Sequence, residues 1–194
     1  MAIHEISVKG GLSSFKEAAR GKDMFGVSGL VPIKERGLYT AKWTIEKYKG
    51  DYRTYAEILK KGAVPFEVLE IEGNLLLNEG INEVWTLVCG TGAAKFDTGA
   101  KIAVGNGTTA ANATQTDLLG ASTATATMDA SYPTYGSSQK ATWRSTFGTD
   151  VGNFAWEEIS VVNTGAKNLN RKVQSMGTKA SGTTWVATLE ITLS

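Results

Sequence analysis

The sequence predicts a mainly β fold: an antiparallel β-sandwich or barrel with one or two short helices and an extended N-terminal arm. Three observations carry this. From about residue 100 several short segments alternate apolar and polar side chains, separated by Gly/Asn/Ser turns. Upstream, two intervals switch to helical spacing. Residues 1–35 hold little sustained period of either kind. The organisation expected is an arm over 1–35, a strand-helix-strand-helix segment packing on the core over 36–95, and a β-sandwich domain over 96–194. A chain of 194 residues accommodates one or two domains with a real core.

The arm contains VKGGLSS, RGKD and GVSG, and within it LSSFKEAAR predicts a short helix capped by Ser13 or Ser14. Apolar side chains nevertheless dot it: Ile3, Ile6, Phe15, Met24, Phe25, Leu30 and Val31. A free linker needs none of them. Burying each against a surface gains roughly 1.5–3 kcal/mol, so these seven are the candidate partner-binding residues; packing on the arm's own domain is the other reading.

In LYTAKWTIEKY, Tyr39, Ala41, Trp43 and Ile45 alternate with polar residues, which predicts a strand with one buried face. GDYRTYAEILKKGA then places Tyr52, Tyr55, Ala56 and Leu59 at helical spacing, with Asp51 as cap and Gly62 at C′. VPFEVLEIEG returns to strand, with Leu69 and Ile71 facing inward. In NLLLNEGINEVWTLVCG the stripe Ile81, Val84, Trp85, Val88 predicts a second helix, with Asn78 as N-cap and Gly80 costing about 1 kcal/mol relative to alanine. Cys89 on this helix reads as a small buried core residue.

KIAVG is a short strand, and the Thr-rich STATATMDA suits an edge. KATWRSTFG alternates Ala141, Trp143, Ser145 and Phe147 inward. NFAWEEISVVN changes apolar parity between Trp156 and Ile159, which predicts a β-bulge near Glu157-Glu158. TTWVATLEITL puts Trp185, Ala187, Leu189, Ile191 and Leu193 on one face.

Chemistry is scarce in this chain. Gly105 and Gly107 in KIAVGNGTTAANATQTDLLG lack the lysine of a phosphate loop, and Ala110 stands where a dinucleotide fingerprint needs its third glycine. His4 is the single histidine and Cys89 the single cysteine, which leaves no Cys–His pair, no Ser-His-Asp triad, no histidine-built metal site and no disulfide. Asp97-Thr98-Gly99 matches an aspartic-protease tripeptide without supporting context. Glu157 and Glu158 point to opposite faces of a regular strand and could converge only at a bulge; a solvated bulge is the plainer reading, and a hydrolase built on them is a third-ranked function. The five tryptophans raise a sugar platform, but all sit on apolar parity, and most of them read as core. Arg171, Lys172 and Lys179 read as a solvated basic turn. A net charge of +1 gives no drive toward nucleic acid or an anionic membrane. No apolar run reaches membrane-spanning length, and the N-terminus lacks signal-peptide features, so synthesis and folding in the cytoplasm are expected.

The segments EIEGNLLLNEGINEVW, IAVGNGTTAANATQTDLLG, MDASYP, WRSTFGTDVGNFAWEEISVVN and LNRKVQSMGTKASGTTW together resemble small structural proteins of tailed bacteriophages, over roughly Gly37 to the C-terminus. The resemblance implies a non-enzymatic virion component without catalytic, cofactor or metal residues. A capsid decoration or cement protein is the expected role, binding the major capsid protein or another virion protein, with a homotrimer as the expected assembly. The virion, assembled in the host cytoplasm, is the expected location. The alternative is a receptor- or carbohydrate-binding module of a head or tail fibre, which needs at least two tryptophans exposed on one surface.

Overall fold

The computed structural model describes residues 17–22, 28–33 and 39–194. The chain divides into two compact units, Met1–Leu38 and Tyr39–Ser194. In the first, β1 (Glu17–Lys22) and β2 (Ser28–Ile33) form an antiparallel ladder with Glu17 opposite Ile33. The helix expected over LSSFKEAAR is therefore corrected at its C-terminal half: residues 17–20 are strand. Each has a cross-strand partner, whereas one isolated helical turn carries a full nucleation penalty. Pro32 fits because both strands of a two-stranded ribbon are edges, where a missing N–H is tolerated. Of the seven candidate partner-binding residues, Leu30 and Val31 lie on β2; Ile3, Ile6, Phe15, Met24 and Phe25 fall outside the described residues.

The second unit contains two five-stranded antiparallel sheets. One has the order β5 (Leu75–Leu76), β11 (Asn170–Thr178), β10 (Ala155–Val162), β6 (Lys101–Gly105), β7 (Thr123–Thr127). The other has the order β4 (Glu67–Glu72), β3 (Tyr39–Lys49), β12 (Thr183–Leu193), β9 (Lys140–Phe147), β8 (Thr134–Ser137). Met128, just past β7, bridges Ser145 of β9, so the sheets meet along that side. The mainly β sandwich expected from the sequence is the fold observed.

The period-two segments bury the parity they predict, except at the end of β12, where Leu193 is exposed. Trp43 and Ile45 of β3, Trp143 and Phe147 of β9, and Trp185 and Leu189 of β12 all enter one core with Ile102, Val104, Ile159 and Val161 of the facing sheet. Trp156 sits between Phe147 and Trp185 in edge-to-face contacts, at centroid distances of 4.7 and 4.8 Å. Each such pair adds about 0.5–1.5 kcal/mol beyond area burial. The bulge is present: the β10–β11 register shifts between Trp156 and Glu158. Thr-rich β7 is an edge strand, as its small side chains suggest.

Both helices exist, with corrected details. In α1 (Tyr55–Lys60) the cap is Thr54, whose side chain accepts the Glu57 N–H; Asp51 instead accepts from the Thr149 hydroxyl. The buried residue is Ile58, packed on Tyr48 and Val186 of the outer sheet face, while Leu59 is exposed. Tyr55, at the start of the helix, packs on the same cluster and lies under the Arg144 guanidinium of β9, 3.7 Å from its ring centroid. In α2 (Asn78–Cys89) the cap position is Leu77, and Asn78 is the first helical residue. The Leu77 and Asn78 N–H groups donate to Leu169 and Ala113 carbonyls, so no side-chain cap is needed.

Candidate functional site

The glycine-rich stretch near residues 105–120 does cradle an anion, and the anion is the chain's own Glu158. Glu158 Oε1 accepts the N–H groups of Gly107 (3.1 Å) and Gly120 (2.6 Å), and Oε2 accepts that of Leu119 (3.1 Å). Arg171 closes the cage through Nε (2.8 Å) and Nη2 (2.6 Å) to Oε2. Both side chains are fully buried. Arg171 Nη1 continues to Gln115 Oε1 at 2.8 Å, anchoring the connection between β6 and β7. The glycines are sterically required: a Cβ at Gly105 or Gly107 would lie 2.5 Å from Glu158 Oε1.

This geometry corrects two readings. Glu158 is no solvated bulge residue; the bulge turns it into the protein, where backbone donors and a bidentate arginine satisfy it. Glu157 lies outside, accepting from the Ser175 hydroxyl, so the two acids diverge. The basic turn is likewise split. Arg171 and Lys179 are buried, and only Lys172 reaches the surface, where it donates to the Glu72 carbonyl. Asp97 makes an Asx turn, accepting the Gly99 N–H at 2.9 Å ahead of β6.

A different feature stands open. The stripe Ile81, Val84, Trp85, Val88 forms as the sequence predicts, but little covers it. Trp85 is 60% exposed and Val88 69%, with Val84 and Leu87 exposed beside them. Between α2 and the core lies an apolar groove of about 690 Å³, reaching Leu76, Phe96, Trp143, Leu169 and Ile191. The β8–β9 hairpin forms its rim. Ser138 and Gln139 turn that hairpin, both at positive φ. Phe96 and Trp143 are locked together by a 2.8 Å hydrogen bond from Trp143 Nε1 to the Phe96 carbonyl. Tyr39 also lines the groove; burial pushes its hydroxyl up to about 12, and the nearby Asn74 amide opposes the shift. Neither Tyr39 Oη nor the Asn74 side chain has a hydrogen-bond partner.

The exposure of α2 overturns the expectation of a buried Cys89, which is exposed at the end of the helix. Four of the five tryptophans are core, as expected of most of them, and Trp85 is the exception. Only Gly80 of the helix is fully buried. There the helix crosses the Leu169 backbone so closely that a Cβ would sit 2.4 Å from its carbonyl oxygen. The helix is pinned at its first turn, and the apolar residues of its later turns stand exposed. Gly80 was the available signal: a glycine on the apolar side of a helix marks a close backbone crossing.

Among the described residues no cluster of three or more His, Cys, Asp or Glu side chains could hold a metal ion, and no helix is long and apolar enough to cross a membrane. No protein-family model, no curated protein and no solved structure matches this chain.

Proposed function

We propose that this protein is a non-enzymatic structural component of a phage virion, a decoration or cement protein that binds between major capsid subunits and stabilises the head. The observation that carries the interaction role is the uncovered stripe of α2 above its apolar groove. A contiguous apolar surface of this kind, held on a rigid sandwich, is suited to a protein partner. The placement in a virion rests on the resemblance of sequence pattern to tailed-phage structural proteins. Binding the assembled shell in preference to its loosened form stabilises the shell by mass action. A homotrimer suits the symmetric junctions of such a lattice.

A sugar-binding module fits less well. It needs a platform of tryptophans, and only Trp85 is exposed while Trp43, Trp143, Trp156 and Trp185 are buried.

The test is co-sedimentation with phage heads. Trp85→Ser with Val88→Ser is expected to lower occupancy at least tenfold while leaving the circular dichroism spectrum unchanged. Full occupancy by that variant removes α2 from the interaction, and failure of the unaltered protein to bind any head overturns the virion role.

A further inference from the structure

The stripe on α2 and the groove beside it are the two halves of one kind of complex. An amphipathic helix docks by laying apolar anchors at i, i+3, i+4 and i+7 into an apolar groove. Ile81, Val84, Trp85 and Val88 have that spacing, and the groove of about 690 Å³ has that character. Helix α2 cannot fill its own groove, because Ile81, Val84, Trp85 and Leu87 already form one wall of it. Leu193, at the end of β12, lines the same groove and is 59% exposed. One chain therefore presents both an unfilled groove and an uncovered helix that suits it.

Charge decides between another copy and a foreign partner. Where copies of one chain meet through the same face, charges on that face are brought against their like, which is strongly unfavourable. This face carries almost none. From Val84 to Cys89 the helix has no charged residue. Its acids are engaged by their own unit: Glu79 accepts the Asn168 N–H at 2.7 Å, and Glu83 accepts the Ala94 N–H at 3.1 Å. Among the described residues lining the groove, Lys140 alone is charged, and Glu190 pairs with it at 2.9 Å. The surface offers a foreign partner no charge to recognise and a second copy no charge to repel.

We propose that the occupant of the groove is α2 of a second copy of this chain. The contact is reciprocal across a two-fold axis or runs head to tail around the homotrimer, and in either form Trp85 leaves solvent. This inference rests on the reading of α2 as the interaction face and names its partner. Copies joined in this way engage a phage head multivalently, so the same helix governs occupancy there.

The experiment is sedimentation velocity on the purified full chain over a dilution series without phage heads, with acrylamide quenching of the same samples. The expected result is a mass that rises from one chain to a small multiple of it. The quenchable fraction, carried by Trp85, should fall as the mass rises. Trp85→Ser with Val88→Ser on the helix should weaken association at least tenfold. Leu193→Glu on the groove should do the same, and its exposed position keeps the monomer folded. Leu59→Ser with Val64→Ser, at exposed positions that line no part of the groove, should leave association unchanged. A chain that stays monomeric at the highest concentration overturns the proposal, as does association that the helix and groove substitutions do not weaken. Both readouts are taken without heads, so they stand even where head binding fails, and a monomer that still co-sediments with heads refutes this contact alone.

Discussion

Glu158 and Arg171 meet at 2.6 Å with neither side chain exposed to solvent. Removing one partner leaves the other charge buried alone, and Glu158→Ala is expected to cost about 3–5 kcal/mol, read as a lowered midpoint in urea. A simple ion pair would be partly relieved by deleting both ends. Here Gly107, Leu119 and Gly120 also donate to the carboxylate, so Glu158→Ala with Arg171→Ala should remain strongly destabilised. Recovery to near the unaltered stability would show that the N–H cage contributes nothing.

Gly80→Ala sets two effects against each other. Helix propensity favours alanine by about 1 kcal/mol. The added Cβ, however, would stand 2.4 Å from the Leu169 carbonyl oxygen and 2.6 Å from its Cα. Backbone on both sides cannot yield cheaply, so the expected outcome is a net loss of about 1–3 kcal/mol, measured by chemical denaturation.

Tyr39→Phe removes a buried hydroxyl that has no partner. At neutral pH the substitution should be neutral or slightly stabilising. Alkaline behaviour gives the sharper readout. The folded tyrosine holds its proton to about 12 against an ordinary value of 10.0, so between those limits the folded state binds more protons than the unfolded one. Stability contributed by Tyr39 is complete below pH 10 and is lost as pH rises toward 12. The phenylalanine variant should lose less stability across that window than the unaltered protein.

Acrylamide quenching should resolve one accessible tryptophan from four protected ones. Trp85→Phe is expected to abolish the accessible fraction and leave the remaining emission hard to quench, because Trp43, Trp143, Trp156 and Trp185 are all core.

The β architecture was legible because its signal is local. Alternation around Trp43, Trp143 and Trp185 fixes which face is buried, and the parity change between Trp156 and Ile159 locates the bulge to within a residue. What a bulge does to the side chain beside it depends on partners far along the chain. The sequence around Glu158 gives no sign of its burial, because its backbone donors lie 38 to 51 residues away and Arg171 lies on the next strand. Helix α2 shows the opposite failure. Its stripe forms where the spacing predicts it, yet periodicity states only that one face is apolar. Whether that face is covered is decided by neighbours, and Trp85 has few. The apolar residues at 3, 6, 15, 24 and 25 lie outside the described residues.

Strand β12 pairs along its whole length with β3, Leu193 opposite Tyr39 and Thr183 opposite Lys49. The two are the first and last strands of their unit, yet they are adjacent inside one sheet. Closing that ladder demands an encounter between opposite ends of a long chain, whose lost freedom must be given up before any of its contacts can repay it. Such pairing slows folding. Refolding from denaturant should therefore be sluggish for a protein of this size, and ordering of the second sheet should arrive late and all at once.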